Sequence, residues 1–348
     1  MIKKTDNFIL DIVEEAKPKK IKKEKCEWIT SGSTVLDLVT GGGWPVGKII
    51  NLVGDNSSGK TLIAVEAIAN AHKKFGKKLK WVYDDAEAGF SFDSRKMYSI
   101  DIIGDTKPSE TIEEFETNLH HSLEDLKDDE YLIYVLDSLD SLSSLAELEF
   151  AQERRNAIES DSKIKGTYGM QKQKFLSEFF RLQANRIKEK KCLLIIISQV
   201  RTRIALFPGP KYTRSGGKAL DFYAAIIVWL SEAEKYKKMN RAVGVCIKVR
   251  TTKNKVALPF REAFIDILFD YGFDNVGSNL AYLADAKTDS GKSKKSVSLE
   301  FNSETGTVQK MIEYVEKNNL EKELSNAVIE KWKAIDEKIS NKNRKVRW

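Results

Sequence analysis

Four short, nearly continuous apolar runs stand out along the chain: Ile49-Ile50-Asn51-Leu52-Val53, Trp81-Val82-Tyr83, Leu132-Ile133-Tyr134-Val135-Leu136 and Leu193-Leu194-Ile195-Ile196-Ile197. Runs this short and this apolar suit strands covered on both faces, the condition of inner strands in a parallel sheet. Between them, 60–75, 110–126 and 171–190 read as helices. The last sets Phe175, Leu176, Phe179, Leu182 and Ile187 at helical spacing, which predicts core packing. Strands alternating with helices predict an α/β domain with a mostly parallel, twisted, doubly wound sheet flanked by helices. Three further strand candidates, 225–230, 244–250 and 263–269, are separated by short polar links and predict an antiparallel extension of that sheet.

The pattern changes at both ends. Residues 7–16 read as a short amphipathic helix, and 17–25 form a lysine-rich run broken by Pro18 that cannot pack a core. Residues 1–27 therefore divide from a core at 28–272. Beyond it, 285–296 is rich in Lys, Ser, Asp and Gly and predicts an exposed loop. Residues 307–339 return to helical spacing through Met311, Ile312, Val315, Leu320, Leu324, Val328, Ile329, Trp332 and Ile335. A small C-terminal helical domain at 273–348 is expected, ending in a basic tail from Lys338 to Trp348.

With 348 residues, 41% hydrophobic and 31% charged, the composition is that of a soluble globular protein. No apolar run reaches the roughly 18 residues a membrane span needs. Met1 to Asp6 lack the apolar core of a secretory signal, so a cytoplasmic protein is expected. Cys26, Cys192 and Cys246 are far apart, and with His72, His120 and His121 show no metal or redox spacing. A net charge of +7 favours a polyanionic partner, though only weakly by itself.

Chemistry first shows at Gly54-Asp55-Asn56-Ser57-Ser58-Gly59-Lys60-Thr61, followed by Leu62. This is the G-x-x-x-x-G-K-[ST] pattern, set between a predicted strand and a predicted helix, the context a phosphate-binding loop requires. Glycines let the backbone curl so that successive N–H groups face phosphate oxygens, and the helix N-terminus adds partial positive charge. Lys60 is placed for the β- and γ-phosphates of ATP and Thr61 for Mg²⁺. Asp137, at the end of the run 132–136, supplies the acidic group such a metal needs. A second strand end, Asp84-Asp85-Ala86-Glu87, offers three carboxylates, any of which could orient the attacking water.

Further motifs follow in a fixed order: Thr30-Ser31-Gly32-Ser33-Thr34-Val35-Leu36-Asp37, Gly41-Gly42-Gly43-Trp44-Pro45-Val46-Gly47, the phosphate loop, Asp85-Ala86-Glu87, Leu136-Asp137-Ser138, Ile197-Ser198-Gln199-Val200-Arg201, 216–223 and 253–260. The ordered set, from about 28 to 270, resembles the bacterial RecA recombinases. The resemblance implies that Glu87 activates water and that Gln199 senses the γ-phosphate. It implies that Lys253 and Lys255 reach a neighbour's ATP, that Phe222 lies at a subunit interface, and that the helix at 7–16 packs on the adjacent subunit. The implied partners are single- and double-stranded DNA and further copies of the chain in a helical filament.

Residues 200–215 carry four basic groups, two aromatics and no acid, which suits single-strand binding. Arg201, Arg203, Phe207, Lys211, Tyr212 and Arg214, with Gly216 and Gly217 behind them, are the candidates there. A first DNA loop is expected near 154–169. The chain departs from the family pattern at Asp93-Ser94, where a base-stacking tyrosine is usual, leaving Phe90, Phe92 or Phe269 as substitutes. Asp221 stands where a basic residue is common, and the chain ends basic where an acidic tail is usual. The implied function is ATP-dependent DNA strand exchange. A hexameric helicase or a nucleotide-switched mediator or regulator built on the same core is the alternative.

Overall fold

The computed structural model describes residues 26–91, 93–104, 107–159, 171–202, 212–213, 217–294 and 297–340. The helix expected at 7–16, the lysine-rich linker, Phe92 and the tail from 341 lie outside the described residues.

A ribbon of β1 (Trp28–Ile29) and β2 (Trp44–Pro45) brackets α1 (Thr34–Thr40). The core continues through β3 (Ile49–Gly54), α2 (Lys60–Phe75), β4 (Leu79–Asp84), α3 (Ser94–Tyr98), α4 (Ile112–Glu124), β5 (Tyr131–Leu136), α5 (Leu145–Glu159), α6 (Gln171–Glu189) and β6 (Cys192–Gln199). A small antiparallel ribbon, β7 (Arg201–Thr202) with β8 (Tyr212–Thr213), precedes α7 (Gly217–Tyr223). The sheet is completed by β9 (Ile226–Lys238), β10 (Arg241–Asn254), β11 (Glu262–Leu268) and β12 (Gly272–Phe273). Its order is β12-β11-β10-β9-β3-β6-β5-β4.

Of the three late strands expected to run antiparallel, the first does not: β9 pairs parallel with β3, Val53 opposite Trp229. The chain returns through α7 to the start of the sheet, which is how a parallel neighbour is reached. Only β10, β11 and β12 are added antiparallel. β9 and β10 also run well past their apolar stretches. Beyond Leu230 the hairpin is largely exposed, and it closes at Met239 and Asn240, both left-handed at φ 48° and 62°. Two left-handed residues match the right-handed twist of the paired strands.

Alternation along the inner strands builds two apolar layers. Ile50, Leu52, Ile133, Val135, Ile195 and Ile197 face α2, where Ile63 and Ile68 are fully buried. Ile49, Val53, Tyr134, Leu136, Leu194 and Ile196 face α4 and α6. Within that second layer Phe179 packs tilted against Phe115 and edge-on against Phe180, each at 5.0 Å between ring centroids. Phe179→Ala is therefore expected to destabilise the fold by about 3–5 kcal/mol, read from urea unfolding. The predicted inward stripe of α6 needs one correction: Leu182 is 55% exposed, and Phe180 and Gln183 turn inward instead.

After β12 come α8 (Asn275–Leu283), the hairpin β13 (Ser298–Phe301) and β14 (Glu304–Thr307), α9 (Val308–Lys317) and α10 (Glu321–Ile339). Val276, Leu280, Met311, Val315 and Leu324 share a small cluster, while Val328 belongs to the main core and Trp332 packs against it. Ile335 stays exposed. The described part of the segment 285–296 is exposed at Asp285, Asp289, Ser290 and 292–294, as its composition predicts, but Ala286 and Gly291 are buried. Its Lys287 pairs with Asp266 at 3.3 Å and donates to Tyr236, whose hydroxyl donates to Asp266 at 2.7 Å. Beside this group, burial pushes the Cys246 thiol up to about 12. Among the described residues no helix is long and apolar enough to cross a membrane.

Candidate nucleotide site

The phosphate loop joins β3 to α2 as its sequence predicts. Gly59 turns left-handed at φ 83°, and so does Ser57 at φ 60°. A side chain at Gly54 would come within 2.5 Å of Ser58 Oγ and 2.6 Å of the Leu230 carbonyl, so only glycine fits against β9 there. Asp55, Asn56 and Ser57 are exposed, whereas the Leu62 side chain lies in the core, leaving only its backbone for a ligand. Lys60 is 8% exposed and donates to the carbonyls of Gly54 (3.0 Å) and Asp55 (2.7 Å). Burial lowers its pKa, against the opposing pull of Asp137, Glu87, Asp55 and Asp140. A desolvated cation held by its own loop's carbonyls is a group waiting for an anion.

Asp137 follows β5 directly, but it is buried rather than presented to solvent. Its Oδ2 accepts from Thr61 Oγ1 at 2.8 Å and from Tyr83 Oη at 2.6 Å. Burial raises its pKa, the two donors lower it, and the nearby carboxylates Glu87 and Asp85 raise it further. Hydroxyl and carboxylate oxygens beside a buried lysine are hard donors of the kind Mg²⁺ takes when phosphates complete its shell. Thr61 and Asp137 are thus suited to holding the metal and Lys60 to the phosphates.

The three carboxylates at the end of β4 separate in space. Asp84 is fully buried and turns away from the loop, accepting from Ser109 N (2.8 Å), Ser109 Oγ (2.6 Å) and Tyr134 Oη (2.7 Å). It is thereby removed from the candidate bases. Asp85 shapes the following turn by accepting the backbone N–H of Gly89 and Phe90. Glu87 alone faces the site: its Oε1 accepts from Ser138 Oγ at 2.5 Å and from Gln199 Nε2. The Gln199 backbone N–H in turn donates to Asp140 Oδ2 at 2.7 Å. Tyr83, Ser138 and Asp140 are site residues that the motif reading passed over. Ser138 belongs to the motif Leu136-Asp137-Ser138, and by sequence Tyr83 reads as an apolar strand position.

Lys253 and Lys255 come together at the end of α7. Both donate to the Phe222 carbonyl, at 2.8 and 2.7 Å, and Lys253 also donates to the Asp221 carbonyl. The Lys255 ammonium lies 5.3 Å from the Phe222 ring centroid, and that ring is 67% exposed. Cations at a helix C-terminus satisfy its open carbonyls. In the basic segment, backbone pairing joins Arg201 to Thr213 and Thr202 to Tyr212, and Gly217 opens α7. Arg203, Phe207, Lys211, Arg214 and Gly216 lie outside the described residues, as does most of the loop expected near 154–169. At the departure Asp93-Ser94, Asp93 caps α3 by accepting Lys96 N–H, Phe90 packs on Tyr83, and Phe269 is exposed.

A model of the RecA N-terminal domain matches residues 13–274, a range that contains every motif named above. The protein RecA of Trichodesmium erythraeum is 33% identical over 257 residues, covering 73% of this chain and 66% of the relative. That of Gloeobacter violaceus is 31% identical, covering 73% and 64%. That of Ureaplasma parvum is 34% identical over 256 residues, covering 73% and 71%. The chain thus spans just under two thirds of the length of the first two of these curated relatives. A solved RadB recombinase structure aligns with a TM-score of 0.46 and 18% identity, over 70% of this chain and 98% of its own. Family match and relatives agree with the site geometry: this chain belongs to the RecA family.

Proposed function

We propose that the chain is a DNA-dependent ATPase that polymerises on single-stranded DNA as a helical filament and exchanges that strand into homologous duplex. One observation carries the reading. The residue between the phosphate loop and the basic segment, Gln199, is bonded through its side chain to Glu87 and through its backbone to Asp140. A shift of Gln199 toward a γ-phosphate would therefore be felt at once by the water-activating carboxylate and by the chain leading to Arg201.

In this reading Lys60 and the loop backbone hold ATP, Thr61 and Asp137 hold Mg²⁺, and Glu87 takes the proton of the attacking water. The metal supplies charge neutralisation on the phosphates when bound. Lys253 and Lys255 serve a neighbouring subunit's nucleotide, Phe222 lies in the contact between subunits, and the helix at 7–16 docks on the adjacent copy. Residues 201–217 meet the DNA backbone with cations and the bases with Phe207 and Tyr212. The core 28–272 carries the chemistry, flanked by the N-terminal arm and the C-terminal domain, in the cytoplasm.

Single-stranded DNA is expected to stimulate ATP hydrolysis at least tenfold, and electron micrographs of the same mixture should show helical filaments. Unchanged hydrolysis would sink the recombinase reading, and closed rings would favour a helicase.

A further inference from the structure

We infer that Tyr83 is a positioning residue for the metal-binding carboxylate: its hydroxyl holds one oxygen of Asp137 and leaves the other to the magnesium shell. The inference rests on the proposed nucleotide reading and adds a residue that neither the motifs nor the resemblance assigns.

Tyr83 sits on β4 opposite Val135 of β5, two residues before Asp137 on the neighbouring strand. Its side chain is 4% exposed, and its ring packs edge-on against Phe90 with centroids 4.9 Å apart. A phenol fixed in this way is a stationary donor. Its hydroxyl lies 2.6 Å from Asp137 Oδ2, the same oxygen that Thr61 reaches at 2.8 Å. Rotation of an aspartate carboxyl about its last torsion is soft and roughly two-fold. Two donors on one oxygen remove that freedom.

The two donors are not equivalent. Thr61 is itself placed to serve the metal, so its bond to Asp137 is the one that would be exchanged on metal binding. The Tyr83 hydroxyl, which also lies beside the Thr61 hydroxyl, is not itself placed on the metal and would keep its hold on Oδ2. A tyrosine hydroxyl is protonated at neutral pH, so it stays a donor to the carboxylate. Partners that orient a metal ligand typically change metal affinity by about 10–100-fold when removed.

Tyr83→Phe removes the hydroxyl and keeps the buried ring. Binding of Mn²⁺ by the full chain with a non-hydrolysable ATP analogue, followed by electron paramagnetic resonance, should weaken about tenfold or more. Binding of the analogue in EDTA should not change. Mn²⁺ affinity within twofold of the parent overturns the inference. Should the variant not fold, 3-fluorotyrosine at position 83 tests the same bond through a stronger donor: a change in Mn²⁺ affinity of about threefold or more in either direction supports the role, and binding within that range overturns it. A parent chain that binds no Mn²⁺ with the analogue would overturn the nucleotide reading itself, whereas a parent that binds beside an indifferent Tyr83→Phe overturns only the role of Tyr83.

Discussion

Lys60→Ala is expected to weaken ATP binding by about 100-fold or more, on the order of 3 kcal/mol, and to abolish turnover at ordinary nucleotide concentrations. Charge-assisted bonds to phosphate in a site that excludes water are among the strongest a side chain makes. Here the ammonium is already desolvated, and among the described residues its bonded partners are the Gly54 and Asp55 carbonyls. The same desolvation gives the variant a second signature. The folded-state pKa of Lys60 lies below its ordinary 10.5, so the charged side chain opposes folding at neutral pH. That opposition is full below the folded pKa and fades as pH rises toward 10.5. Without nucleotide, Lys60→Ala should therefore melt at or above the parent temperature at pH 7, with the difference closing at high pH. Titration calorimetry and thermal melts at pH 7 and 10 read both effects. Retained affinity would remove Lys60 from the phosphate site.

Glu87→Gln should leave ATP affinity within about threefold and slow hydrolysis by about 10²–10⁴-fold, the usual span for loss of a positioned base. The amide keeps an oxygen to accept from Ser138 Oγ and Gln199 Nε2, so the surrounding bonds survive and the change falls on proton transfer. Single-turnover hydrolysis measured beside nucleotide binding separates the two. A loss of less than tenfold would exclude Glu87 as the base, and Asp85, spent on the turn at Gly89 and Phe90, is poorly placed to replace it. If ATP sustains the filament, this variant should also hold filaments that outlast those of the parent.

The inner sheet was legible because a strand covered on both faces leaves a continuous apolar run, as 132–136 and 193–197 do. The phosphate loop was legible because its glycines and lysine are set by a single local turn. The outer sheet was harder. The far half of the β9–β10 hairpin is polar and stands because each strand pairs with the other, while Met239-Asn240 lacks the glycine that marks such a turn. The β13–β14 hairpin passed unnoticed for a similar reason: it turns at Asn302 and Ser303, left-handed at φ 51° and 63°. Lys287 hid its own burial, since a lysine reads as solvent-facing until its partner Asp266 is found 21 positions away. Within the site, sequence order brought Lys60, Thr61, Asp137, Glu87 and Gln199 to notice. It could not separate Asp84 from Glu87, because both lie near one strand end and only the fold shows that Asp84 closes β4 facing inward while Glu87 sits in the turn beyond it. Nor could it show Tyr83 as polar, because a tyrosine in an apolar strand looks like core until its hydroxyl finds a carboxylate.

Helix α1 is only seven residues long, yet both of its ends are tied. At its start, Thr34 N–H donates to Asn275 and the Thr34 hydroxyl to Ser325, on α8 and α10. At its finish, the Thr40 carbonyl accepts from Asn254 at 2.7 Å, and Gly41 leaves no room for a side chain beside Ala257. Asn254 stands between Lys253 and Lys255. A rod of about 10 Å, at 1.5 Å per residue, thus spans from the C-terminal helices to the lysine turn. Any displacement of those helices would therefore reach the turn that carries the two ammonium groups through one short, doubly tied helix.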